Sequence, residues 1–311
     1  MMKRFLCNSF LFFAIVTIVI GGVVALEIVA EIRAYRREVV PPQGADILLV
    51  NDSQLANAVD PDLAPRFFNF CSPDRLLDQA FMTATDVIDA GGGIKIVVLD
   101  VSPHILNTPI DVPLKKLGYP ARYWLLHLLH YDLNIRDLDG IVKVARDNLV
   151  GQRLRHARRA LSGKTEFVSS LRGSRCAYRE CNKRDNRPFY DGLLRIKVRN
   201  SIGVASVTAE SEVFGYLLRI ANALERKGVK VVFTTTPWHA DLLAAFRDGE
   251  LDHFTKLMNG FCSQHEFPYL DFLRMPIPEE EWLDANHLNI YGQRRFTPAF
   301  LKAIDEACGE N

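Results

Sequence analysis

Short apolar runs bounded by polar turns alternate along this chain with longer stretches whose apolar positions recur at helical spacing. The first run, ADILLV at residues 45–50, lies between Gly44 and the polar Asn51-Asp52-Ser53. An unbroken apolar run of that length suits a strand buried on both faces of a parallel sheet. Residues 73–90 carry Leu76, Leu77, Ala80, Phe81, Ala84, Val87 and Ile88 on one helical face, and Gly91-Gly92-Gly93 stops them. IKIVVLDV, residues 94–101, is a second buried strand. The unit then recurs: a helix over residues 211–227 closed by Gly228, a strand VKVVFTTTP at 229–237, and a shorter strand within FPYLDFL, 267–273. A final helix follows the polar loop that begins at Trp282.

Strands alternating with helices predict an α/β fold, a mostly parallel sheet covered by helices on both sides in three α/β/α layers. In such sheets sites gather at the carboxyl ends of the strands. Three segments occupy those ends: Asn51-Asp52-Ser53, Ser102-Pro103-His104 and Thr235-Thr236-Pro237-Trp238-His239. A long insert, about residues 105–210, separates the second strand from the third; it begins apolar and aromatic, with His127 and His130 in a stretch that reads as a packed helix.

Two features stand outside this pattern. Residues 5–26 form an uncharged run of 22, which as a helix spans roughly 33 Å and matches a bilayer core. Its length favours an anchor over a cleaved signal peptide, whose apolar region is shorter. The organisation expected is therefore an anchor or uncleaved signal at 1–30, a juxtamembrane stalk at 31–43 and an α/β domain at 44–311. Lys3 and Arg4 before the run are balanced by Arg33, Arg36 and Arg37 after it, so the charge rule does not choose a side. The second feature is charge segregation beneath a net charge of +1. Residues 143–199 hold 16 Lys/Arg against 5 Asp/Glu. This basic insert is either a solvated face or a surface for anionic lipid or an anionic polymer. It lacks the aromatic interleaving of a nucleic-acid groove. The six cysteines include Cys176 and Cys181, spaced to pair outside the cytoplasm. No spacing calls for a metal or other cofactor.

The chemistry concentrates in two places. A serine directly after a buried strand, where the chain turns into a helix, is exposed at the sheet edge with free backbone N–H groups beside it. Asn-Asp-Ser is equally the sequence of a helix cap. Near the other end, Asp284-Ala285-Asn286-His287 sets a carboxylate three residues before an imidazole, a spacing at which Asp orients His to take a proton from a hydroxyl.

Together these segments resemble the SGNH/GDSL hydrolase superfamily, whose members carry a nucleophilic serine in a Gly-Asp-Ser-type turn and an Asp-x-x-His pair before the last helix. His287-Leu288-Asn289, Gly292 and Phe296-Thr297 extend the match. The membrane-tethered branch is the nearest in look, similar to alginate-type O-acetyltransferases and to the D-alanyl transfer protein of teichoic acid synthesis. The resemblance covers most of residues 45–105 and 210–302 and implies a flavodoxin-like sheet. It further implies Ser53 as nucleophile, His287 as base, Asp284 as its orienter, and an oxyanion hole from the Ser53 N–H and, in place of the family's usual donors, Asn69. Asn51 stands where the family has glycine. Asn51, Asp52, His104 and His239 are expected around the cleft. The implied activity is O-acyl transfer or ester hydrolysis on a cell-envelope polysaccharide, with an acyl donor, a carbohydrate acceptor and an acyl-exporting membrane protein as partners, on the extracytoplasmic side. The competing expectation is an inactive relative that holds an anionic polymer or a membrane partner through the basic insert.

Overall fold

The computed structural model describes residues 10–12, 15, 18, 22, 29, 32–60, 62–71, 77–106, 130, 191, 194–195 and 206–309. The chain divides into two compact units, Met1–Glu38 with Val112–Arg172, and Val39–Asp111 with Gly173–Asn311. In the first unit the described part of the apolar run is helical, with Phe10, Leu11, Phe12, Ile15 and Ile18 exposed. Most of residues 5–26, and nearly all of the basic insert with Cys176 and Cys181, lie outside the described residues. Among the described residues no helix is long and apolar enough to cross a membrane.

The second unit is an α/β domain built on five parallel strands: β1 Ile47–Val50, β2 Phe67–Asn69, β3 Ile96–Asp100, β4 Lys230–Thr235 and β5 Tyr269–Asp271, in the order β2-β1-β3-β4-β5. The helices are α1 Ser53–Ala56, α2 Leu77–Asp89, α3 Pro103–Leu106, α4 Glu212–Glu225, α5 Ala240–Leu243, α6 Glu250–Gln264 and α7 Ile290–Cys308. The strands predicted at 45–50, 94–101, 229–237 and 267–273 are present and slightly shorter. Edge strand β2 has only three residues, too few for an apolar period, and it enters the sheet because Phe67 pairs with Ile47.

Both sheet faces are covered, as the unbroken apolar strands require. Ile47, Leu49, Ile96, Val98 and Val232 share one buried cluster with Phe296, Phe300 and Ile304 of α7. The alternate residues point the other way: Phe233 meets Phe261 of α6 edge-on at 5.7 Å, and Phe214 of α4 packs on the same ring at 5.2 Å. At Gly228 the chain takes φ +86° to leave α4 and enter β4, a conformation that a side chain would strain.

The register places Val50 beside Leu99, and Leu99 beside Phe233. The carboxyl ends of β1, β3 and β4 therefore lie side by side. In this strand order the direction of winding reverses between β1 and β3, and the crevice outside that point is where open α/β sheets bind ligands.

Candidate active site

Ser53 is the first residue of α1, directly after the β1 turn, and its side chain is half-buried. Asp52, not Ser53, is the helix cap: its carboxylate accepts from the Gln54 N–H at 2.8 Å. The hydroxyl is thereby left for other use, and the Ser53 N–H, in the first turn, has no acceptor within the helix. Asn51 needs no glycine-like conformation, since among the described residues only Glu266 combines a side chain with positive φ. Its buried carboxamide instead donates to the Asp100 carbonyl, tying the ends of β1 and β3 together.

Asp284 and His287 sit on a tight loop. Trp282 and Leu288 bridge its base, and the Leu283 and Asp284 N–H groups both donate to the His287 carbonyl at 2.8 and 3.3 Å. Asn289 caps α7, its side-chain oxygen accepting from Tyr291 and Gly292. The fold brings this loop to the end of β1. His287 Nε2 lies 3.0 Å from the Ser53 hydroxyl, and Nδ1 lies 2.9 and 3.0 Å from the two oxygens of buried Asp284. Nδ1–H donating to the carboxylate leaves the Nε2 lone pair facing the Ser53 hydroxyl. Three residues expected to act together are thus within hydrogen-bond reach, although Ser53 and His287 are 234 positions apart.

His104 is also at this edge, 2.8 Å from Asp52 and 3.1 Å from the Ser102 hydroxyl. Two other expected residues are placed differently. The Asn69 carboxamide serves its own turn, donating to the Ala56 carbonyl at 3.1 Å and accepting from the Cys71 N–H at 3.2 Å. Both are local bonds, of the kind an Asn at a strand end makes with nearby backbone. His239 does not line the cleft. It is buried, caps α5 by accepting from the Asp241 N–H, bonds Glu279 at 2.7 Å and stacks edge-on with Trp282. With the His239 N–H donating to the Ala285 carbonyl, it clamps the loop that carries His287.

Several participants escape a reading of the sequence. Asp100 looks like strand interior, yet it ends β3 beside Asp52. Burial, and then the Asp52 charge, push its carboxyl well above the usual range. Burial acts on Asp52 in the same sense, but the His104 hydrogen bond and charge, the Gln54 N–H and the more distant His287 together bring it below the usual range. The same burial therefore has opposite outcomes at two neighbouring aspartates. Gln54, Ser102 and Trp238 complete the surroundings; the local signal for the last two is only their position at strand ends. Among the described residues no cluster of His, Cys, Asp and Glu has the arrangement of a metal site. Cys71, Cys262 and Cys308 are buried and in no disulfide among the described residues, and burial pushes the Cys262 thiol up to about 12.

No family model matches the chain, and no curated protein shows detectable similarity. One solved structure similar in shape is described as a "putative acylhydrolase" from Bacteroides fragilis: 10% identity, TM-score 0.41, covering 88% of this chain and 95% of that one. The functional reading rests on the geometry of Ser53, His287 and Asp284 and not on that likeness.

Proposed function

We propose that the protein is a serine acyl-ester enzyme of SGNH type, an O-acyltransferase or esterase acting on a cell-envelope polysaccharide. The observation that carries this reading is the contact of Ser53 with His287 and of His287 with Asp284 at the carboxyl end of β1. Ser53 Oγ attacks the acyl carbonyl carbon as its proton passes to His287 Nε2. Asp284 accepts from Nδ1–H and stabilises the imidazolium, while the Ser53 N–H faces the developing oxyanion. The intermediate collapses when His287 returns the proton to the departing alkoxide. Water or a sugar hydroxyl, deprotonated by the same imidazole, then releases the acyl group from Ser53. Residues 5–26 hold the domain at the membrane with its catalytic part extracytoplasmic, and the basic residues of 143–199 face an anionic polymer or lipid headgroups.

Treating the full-length protein in detergent with a fluorophosphonate probe tests the nucleophile. Labelling of wild type, absent in Ser53→Ala, is the expected result. A folded protein that neither labels nor releases acyl groups from an activated ester overturns the acyl-enzyme reading. A carboxyl-terminal reporter active only outside the cytoplasm should report activity; silence there removes the envelope polysaccharide as substrate.

A further inference from the structure

Next to Ser53 in the chain, Gln54 belongs to a second hydrogen-bonded chain that the acyl-transfer scheme does not use. It starts at Trp238, whose indole N–H can only donate; it reaches Gln54 Oε1 at 3.1 Å, and the Thr236 hydroxyl donates to the same oxygen at 3.5 Å. With Oε1 identified as the acceptor, the Gln54 NH₂ is the group turned toward His104 Nδ1, 3.5 Å away. A proton on Nδ1 would point at those N–H bonds. Nδ1 is therefore an acceptor, and the ring proton sits on Nε2, 2.8 Å from the Asp52 carboxylate.

A second contact on the same nitrogen fits this polarity. Ser102, fully buried, lies 3.1 Å from His104 Nδ1 and 3.5 Å from Asp100 Oδ2. A hydroxyl has one proton to give, and with the Gln54 NH₂ already facing Nδ1 the shorter contact, 3.1 Å to Nδ1 against 3.5 Å to Asp100, is the one it fits. The ring nitrogen that faces the Gln54 NH₂ then also accepts from Ser102.

We propose that His104 is a positioning residue for the nucleophile: held with its proton on Nε2 by donors from Gln54 and Ser102, it donates to Asp52 and so fixes the carboxylate that caps the turn presenting Ser53. Ser102, His104 and Asp52 resemble a second Ser-His-Asp set, but a serine with no exposed surface has no access to substrate. Asp52 instead accepts from two directions, His104 Nε2–H and the Gln54 N–H. Without His104 it is free to leave the cap and carry the Ser53 hydroxyl and N–H out of line with His287. The consequence for catalysis rests on the acyl-enzyme reading; the proton's location does not.

Two measurements on the full-length protein separate these parts. In histidine-labelled protein near pH 7.5, the ¹⁵N signals lost in His104→Gln should come from one protonated and one bare ring nitrogen, with the proton on Nε2. Gln54→Glu, which sets a carboxylate against Nδ1, should protonate both nitrogens. A wild-type ring protonated on Nδ1, or on both nitrogens, overturns the proposal. In fluorophosphonate labelling, His104→Ala should slow Ser53 modification roughly ten- to a hundredfold, the range expected from losing a hydrogen bond to a buried charge. His104→Gln, whose NH₂ can replace Nε2–H, should recover most of the rate without a change in probe affinity. Equal rates for Ala and Gln overturn the positioning role. A wild type that never labels, with the Nε2–H signal present, removes the acyl-enzyme reading and with it the catalytic role, while leaving the hydrogen-bond assignment standing.

Discussion

His287 is bonded on both sides, and the two bonds differ in what they demand. Ser53 needs only a lone pair at Nε2, which any correctly turned neutral imidazole supplies. Asp284 determines which nitrogen has that lone pair, and its buried carboxylate also accepts from the Asn286 N–H at 3.2 Å. Asp284→Asn should therefore leave the fold intact and lower the rate of Ser53 labelling by roughly 10³ to 10⁴, because an amide NH₂ toward Nδ1 favours the wrong tautomer. Labelling within tenfold of wild type would show that His287 does not depend on Asp284. The candidacy of Ser53, Asp284 and His287 was legible in the sequence because Asp284 and His287 are three residues apart and Ser53 follows an unmistakable strand. The Gln54–Trp238 contact was not legible, since its partners are 184 positions apart and neither residue type is peculiar to a site.

The elements that position these residues are unequal in length, and the long one is the better scaffold. Helix α7 begins three residues after His287 and buries Phe296, Phe300 and Ile304 against the sheet. Its entry is tight at Gly292, where a Cβ would come within 2.4 Å of the Glu281 carbonyl oxygen, a backbone atom. Gly292→Ala should cost about 1 to 3 kcal/mol in urea unfolding, the usual penalty of overpacking, and should slow Ser53 labelling as the 282–288 loop is displaced. Unchanged stability would mean that the loop moves without resistance and contributes little to placing His287. Periodicity found α7, α2 and α4 because each has an apolar face several turns long. It did not separate β2, three residues at the sheet edge, and it set no length for the helix after Ser53, which is a single turn. A segment of one turn is shaped by its neighbours and not by its own propensity.

At the scale of the whole molecule, the parallel sheet buries strand ends, and some of those ends carry charge. Asp100, which holds its proton to higher pH in the folded chain, ionises in the unfolded one at about pH 3.9. Its contribution to stability is complete below that pH and is lost as pH rises toward its folded value. Asp52 acts in the opposite sense: its contribution is present above about pH 3.9 and is lost as pH falls through its lowered folded value. Asp100→Asn, which cannot ionise, should flatten the fall in urea midpoint as pH rises above about 3.9, where one unreleased proton contributes up to about 1.4 kcal/mol per pH unit. An unaltered slope would place a charged Asp100 in the native protein. The sequence by itself determined the α/β class, the principal strands and helices, and the two segments that carry Ser53, Asp284 and His287, because apolar periodicity and close spacing are local properties of the chain. Tertiary structure alone decided the strand order, which puts the β1 and β3 ends in one crevice. It also placed His287 against Ser53, drew Asn69 and His239 into structural bonds, and set Asp52 beside Asp100. Each of these depends on which distant groups meet once the apolar faces are buried, and on the loss of water that makes their hydrogen bonds and charges matter.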